Sequence, residues 1–188
     1  MAKISLGKAL FKPRAVALIG ASDEGRRHHA MAPLYLEKHG YKGRIIPVNP
    51  KRKKVYKNKC YPTVFDAPGP VDHALVMTPA KTVPNVIQDC GRAGVKVATV
   101  FSANFAEAGP DGMRLQEEMM DAAREGDVRI VGPNCMGVYC MDPPAIISPN
   151  RIMQMPKIHK GNIGVISQSG SLTGTFVSRG QHRGLAFS

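Results

Sequence analysis

The chain has 188 residues, 43% of them hydrophobic, and carries a net charge of +12 from 26 Lys and Arg against 14 Asp and Glu. That length suits one full domain plus a fragment, or two small domains, and no apolar run approaches the ~20 residues of a membrane span. The basic N-terminus lacks the apolar stretch of a secretory signal, and Cys60, Cys90, Cys135 and Cys140 form neither a Cys-x-x-Cys pair nor a zinc spacing, so they read as reduced thiols of a cytoplasmic protein.

Ala15–Ile19 is apolar without alternation, the mark of a strand buried on both faces. Residues 31–40 read as a helix with Pro33 in its first turn and Gly40 as its C-terminal cap. Arg44–Val48 is a second strand, and its Pro47 marks a strand end or edge. A third strand is expected at 73–77, a helix at 82–92 and a fourth strand at 96–101. Residues 111–126 give the clearest helix: Met113, Leu115, Met119, Met120 and Ala123 share one face and Gly126 stops it. Arg129–Val131 is the fifth strand.

Strands alternating with helices imply a parallel sheet, and right-handed crossovers make it an α/β, doubly wound, Rossmann-like domain over residues 1–140. Residues 141–160 are Pro-rich without a clean period and read as an extended linker. The pattern then restarts over 161–188 with a strand at 162–167, a turn, a helix at 172–180 and the beginning of a strand at 185–188. One β-α-β unit covers only part of its own sheet, so this is the opening of an incomplete second domain, whose exposed edge offers a place for a partner or a second copy.

Ligands of open parallel sheets bind outside the carboxyl ends of the strands. The five loops there are built of small residues: Gly20-Ala21-Ser22-Asp23, Asn49-Pro50-Lys51, Thr78-Pro79-Ala80, Phe101-Ser102-Ala103-Asn104 and Gly132-Pro133-Asn134-Cys135. Gly20 permits a sharp turn close to a phosphate, yet the spacing is neither Gly-x-Gly-x-x-Gly nor a P-loop. An NAD site favours an acid after the second strand. Lys51 stands there instead, which suits an extra ribose phosphate and points to coenzyme A or NADP. Basic residues at 42, 44, 51–54, 57 and 59, with no acid between them, read as a solvated loop, a nucleic-acid patch or a site for a small polyanion. The zinc-finger and aromatic RNA-binding patterns are missing, which argues against nucleic acid. The six histidines, at 28, 29, 39, 73, 159 and 182, read as surface residues, with His28 and His29 near enough to the first loop to touch a phosphate.

The ordered motifs "LFKPRAVALIGAS", "YKGRIIPVNPK", "YPTVFDAPGPVDHALVMTPA", "CGRAGVKVATVFSANFAEAG", "RIVGPNCMGV" and "GNIGVISQSGSL" resemble the N-terminal half of NDP-forming acyl-CoA synthetases. That superfamily includes ADP-forming acetyl-CoA synthetases, the succinyl-CoA synthetase α subunit and the N-terminal region of some protein-lysine acetyltransferases. The resemblance implies a CoA-binding domain followed by the start of a flavodoxin-like ligase domain. It implies that Gly20, Ala21, Ser22 and Asp23 cradle a CoA phosphate and that Lys51, with Asn49 and Pro50, meets another. Thr78, Pro79 and Ala80, with Phe101, Ser102 and Ala103, would line the nucleotide and pantetheine path, and Pro133 and Asn134 would lie near the thiol end. Ser169 and Gly170 would hold the phosphate of a phosphohistidine.

That histidine, and the ATP-grasp part that phosphorylates it, match nothing in these residues, so the resemblance implies CoA or acyl-CoA binding without turnover and an ATP-grasp partner. The other role it implies is a CoA-sensing regulatory domain or part of an acetyltransferase. Two departures stand out. "RRHHAMAP" replaces the usual glycine early in the first helix, and Asn104 stands where glycine is usual, a residue that tolerates positive φ.

Overall fold

The computed structural model describes residues 4–25, 28–156 and 158–188. Along the chain lie α1 (Leu6–Phe11), β1 (Ala15–Ile19), α2 (His28–Lys38), β2 (Arg44–Val48), β3 (Lys54–Val55), β4 (Asn58–Lys59), β5 (His73–Val76), α3 (Val83–Arg92), β6 (Val97–Val100), α4 (Pro110–Glu125) and β7 (Arg129–Val131). The hairpin β8 (Val138–Met141) and β9 (Pro144–Ile147) follows, then β10 (Lys160–Ile163) and α5 (Gly170–Gln181). Five strands form one parallel sheet in the order β2-β1-β5-β6-β7, a doubly wound, Rossmann-like arrangement. The order reverses between β1 and β5, the switch point at which such sheets open a crevice.

Alternation along the strands decides which layer each face meets. Ala15, Ala17 and Ile19 of β1 pack with Val83, Ile87 and Cys90 of α3 and Met119 and Ala123 of α4. Val16 and Leu18 point the other way, into a cluster with Ala32 and Leu36 of α2 and with Cys140, Ala145 and Ile147 of the β8–β9 hairpin. Both faces are therefore covered, which is why the strands read as unbroken apolar runs.

Four expectations are corrected. Helix α2 begins at His28, so Pro33 lies inside it and not in its first turn. Proline has no N–H to offer the carbonyl four residues back, and that carbonyl, on His29, instead accepts the Ser22 amide at 3.2 Å. The proline thereby frees a helix carbonyl to fasten the loop after β1. Second, residues 141–160 do not form an extended linker. They contribute to an antiparallel hairpin turning at Asp142-Pro143, with Ala145, Ile146 and Ile147 buried, followed by a single 3-10 turn at Arg151–Gln154. Pro143 sits at the turn and Pro144 at the first position of β9, where both are tolerated, so the apolar residues after them pair and bury.

Third, the basic block contains the short β3–β4 hairpin, with Val55 and Cys60 buried and the Tyr56 hydroxyl donating to Ala30 O at 3.0 Å. Fourth, His73 is not at the surface. It is fully buried on β5, bonded to Ala9 O (3.2 Å) on one side and Thr99 Oγ1 (2.8 Å) on the other. Beyond the main sheet, β10 bridges in parallel to Phe187, and α5 comes against Ile152 and Asn150 at Gly174 and under the Phe187 ring at Gly180. Ile166, Leu172, Phe176 and Leu185 of this segment remain exposed. Among the described residues, no helix is long and apolar enough to cross a membrane.

Candidate functional site

A cleft of about 960 Å³ opens at the carboxyl ends of the strands, over the β1/β5 switch point. Of the residues singled out in the sequence, Gly20, Asn49, Pro50, Lys51, Thr78, Pro79, Ala80, Phe101, Ser102, Ala103 and Asn134 line it. Five different strand ends thus converge on one space.

The loops are fastened to one another by short bonds. Asn49 lies at the centre: its Nδ2 donates to Ala21 O at 2.9 Å and its Oδ1 accepts the Lys51 amide at 3.0 Å, joining the loop after β1 to the loop after β2. The Ser102 hydroxyl donates to Thr78 O, and the Asn134 amide donates to Ser102 O at 3.0 Å, joining the loops after β5, β6 and β7. Gly20 adopts φ +87°, and a Cβ there would stand 3.1 Å from the Met77 carbonyl and from Thr78 Cγ2. Only glycine meets both the dihedral and the close approach. Asn104 adopts φ 74°, the left-handed conformation expected of it.

Other predicted residues lie elsewhere. Ala21 and Ser22 are buried behind the wall, and the Ser22 hydroxyl accepts the Glu24 amide at 3.0 Å. Asp23 is paired with Arg52 at 2.7 Å, and the same guanidinium reaches Glu24. The side chains of Ser22 and Asp23 are thus engaged within the protein. Pro133 and Gly170 line a neighbouring cavity, and the Ser169 hydroxyl caps α5 by accepting the Leu172 amide at 3.2 Å. His29, expected near the first loop, lines the cleft from α2, whereas sequence reading missed the rest of the far wall: Pro62, Thr63 and Val64, and Val86 and Asp89 from α3. No local motif marks these residues, because tertiary packing alone brings them to the rim.

The basic block is sorted by its contacts. Arg52 is tied to Asp23 and Glu24, Lys57 to Glu37 at 3.1 Å, and Lys59 lies over the Tyr61 ring at 5.1 Å. Arg44 holds the carbonyls of Pro68 and Pro70. Lys51 faces the cleft and joins none of the ion pairs among the described residues. The Thr78 hydroxyl is buried, with no hydrogen-bond partner among the described residues. Apolar walls from Ile19, Val48, Val64, Val86 and Phe101 complete the space. Among the described residues there is no cluster of His, Cys, Asp or Glu able to hold a metal ion.

A doubly wound sheet with an open crevice at its switch point is the architecture of nucleotide-cofactor-binding domains. The chain belongs to the CoA binding domain family, whose pattern it matches over residues 14–141. It is 36% identical over 181 residues to the ADP-forming acetate–CoA ligase II of Archaeoglobus fulgidus, covering 95% of this chain and 26% of that protein. It is 38% identical over 170 residues to the α subunit of the ADP-forming acetate–CoA ligase I of Pyrococcus furiosus, covering 88% of this chain and 36% of the subunit. The solved apo structure of the dinucleotide-forming acetyl-coenzyme A synthetase 1 of Ca. Korarchaeum cryptofilum superposes with a TM-score of 0.88 at 31% identity, covering 98% of this chain and 39% of that one. The chain therefore spans between a quarter and two-fifths of these relatives, and corresponds to the CoA-binding part of such synthetases.

Proposed function

We propose that the cleft over β1 and β5 is the coenzyme A site, and that the chain is the CoA-binding part of an NDP-forming acyl-CoA synthetase. The observation that carries this is the conjunction of Gly20 and Lys51 at one crevice of a CoA-binding-family domain. Three features fit the cofactor. Gly20, at φ +87°, turns the backbone sharply at the cleft wall and carries no side chain, so a phosphate can approach the backbone there. Among the described residues the Lys51 ammonium has no carboxylate partner, and the buried Thr78 hydroxyl has no hydrogen-bond partner. CoA brings phosphates for the first two, polar atoms for the third and a pantetheine arm for the apolar wall.

In this reading Lys51 meets the 3′-phosphate, Thr78, Pro79 and Ala80 border the nucleotide, Phe101, Ser102 and Ala103 border the arm, and Pro133 and Asn134 lie toward the thiol. The thiol is the chemistry CoA supplies, as the carrier of an acyl group. The residues of this chain bind and orient it and hold it out of bulk water. In the whole protein the reaction is acyl-CoA plus NDP and phosphate giving acid, CoA and NTP. The phosphohistidine comes from outside these 188 residues, with Ser169 and Gly170 at the start of α5 holding its phosphate. An ATP-grasp domain or subunit is the matching partner; relatives described as α subunits support a two-chain arrangement.

Calorimetry with CoA, dephospho-CoA and NADP tests the site. CoA binds tightest, and loss of the 3′-phosphate weakens binding. Equal affinity for CoA and dephospho-CoA would remove the role given to Lys51.

A further inference from the structure

A cavity of about 610 Å³ lies at the end of the sheet away from the cleft, where β6 and β7 begin. There β7 is the outermost strand, paired among the described residues with β6 alone. The cavity wall has an apolar part and a cationic part. The apolar part is Ile4 and Leu6 beside α1, Met120 and Ala123 of α4, and Val128 and Ile130 at β7. Ala123 and Val128 are buried, whereas Leu6, the first residue of α1, is 46% exposed. The cationic part is Lys96, Arg124 and Arg129, against one described lining acid, Asp127. Lys96 is bonded to Asp127 at 2.7 Å and Arg124 to Asp121, but both carboxylates are largely exposed, where ion pairs are weak. Arg129 joins no ion pair among the described residues. No described residue of this wall also lines the cleft.

We propose that this cavity binds an amphipathic anion, a single alkyl chain ending in a carboxylate or a phosphate. The two parts of the wall match the two parts of such a ligand. The chain gains by leaving water along Leu6, Met120 and Ile130, apolar surface that the fold covers only in part. The headgroup meets Arg129, whose planar guanidinium donates to two oxygens at once. The charges of Lys96 and Arg124 favour the same sign of ligand. A bare anion gains only from exposed cations, which salt screens, and an alkyl cation meets three like charges. The inference goes beyond the CoA reading and does not depend on it, because Lys51 and its loop lie at the other end of the sheet.

Calorimetry of this chain with hexanoate, octanoate, octyl phosphate and octyltrimethylammonium decides it. Octanoate, with two more methylenes than hexanoate, binds roughly tenfold tighter. Octyltrimethylammonium, with the same chain and the opposite charge, binds at least about tenfold more weakly than octanoate. The tighter of octanoate and octyl phosphate identifies the headgroup. Arg129→Gln weakens both anions by about tenfold. Leu6→Asp, at an exposed position on the cavity wall, sets a carboxylate against the headgroup and weakens both by a similar factor. Lys51→Ala changes neither. Equal affinity for the alkyl cation, or no gain from hexanoate to octanoate, would overturn the proposal. So would binding that survives both Arg129→Gln and Leu6→Asp. A loss in Lys51→Ala would put the anion in the cleft and overturn it too, while leaving the CoA site intact.

Discussion

Strand β5 starts just after Asp72 and ends two residues before Thr78, and its two ends are finished in opposite ways. At the first end the polar groups are closed off. Asp72 is buried, and its carboxylate accepts from Arg14 N (2.7 Å), Nε (2.9 Å) and Nη2 (2.7 Å). His73 beside it is bonded through both ring nitrogens. At the other end the loops are small and the cleft is open, and among the described residues Lys51 has no carboxylate and the Thr78 hydroxyl no partner. One end of β5 spends its polar groups on the fold, and the other keeps them for a ligand. Substitutions at the two ends should therefore separate stability from binding.

The largest effect is expected at the closed end. Asp72→Ala strips three acceptor contacts from the Arg14 side chain and amide, and should lower stability by about 2–4 kcal/mol in chemical denaturation. The folded fraction should bind CoA as the parent does; a comparable loss of affinity would break the contrast. Acid acts at the same end through His73. Burial holds its imidazole neutral and pushes its pKa down from 6.5 to about 4, against bonds to the backbone of α1 that favour the charged form. The unfolded chain therefore takes up a proton between pH 6.5 and 4 that the folded chain refuses. Stability present above pH 6.5 is lost as pH falls through that window, by up to ~3 kcal/mol. Asp72 does not share the window: burial would raise its pKa, but the bonds and charge of Arg14 outweigh this and hold it below 3.8, so its contribution fades only at lower pH. His73→Gln, which keeps one donor and one acceptor, should flatten the slope between pH 6.5 and 4.

The same contrast explains what could be read from the sequence. The five sheet strands were legible because strands buried on both faces are short unbroken apolar runs, as in Ala15–Ile19. The open rim was legible because small residues recur after each of them. The closed end was not. His73 looks like any histidine until α1 folds over β5 and puts the Ala9 carbonyl against it, and nothing within a few residues foretells a partner 64 positions away. The β8–β9 hairpin was hidden by its prolines, whose turn-forming role shows only when Ile146 and Ile147 are seen to bury. At the site, the near wall is local in sequence, whereas Val64, Val86 and Asp89 arrive through packing. Ser22 and Asp23 read as phosphate ligands, yet their side chains are held by Glu24 N and by Arg52, contacts that spacing alone does not disclose.

At the open end the signs should reverse. Lys51→Ala removes a cation that pairs with no described carboxylate, so stability should stay within ~0.5 kcal/mol of the parent. CoA binding should weaken by about 1.5–3 kcal/mol, the worth of a charge-assisted contact, with dephospho-CoA much less affected. A loss shared equally by both ligands would move Lys51 away from the 3′-phosphate.

The smallest effect is expected at Asn104, where the open end stores backbone strain. Its φ of 74° lies in the left-handed region, and its amide donates to Glu107 Oε1 at 2.8 Å. Asn104→Gly keeps that amide and relieves the dihedral, but adds conformational freedom to the unfolded chain, and the two terms nearly cancel. A change within ~0.5 kcal/mol is expected. Asn104→Val keeps the amide too, yet a β-branched side chain resists positive φ and should cost about 1–2 kcal/mol. The pair of variants separates the dihedral from the side chain. If glycine and valine destabilise equally, the asparagine amide group itself is making a contact that matters, and the loop after β6 is held by more than its backbone.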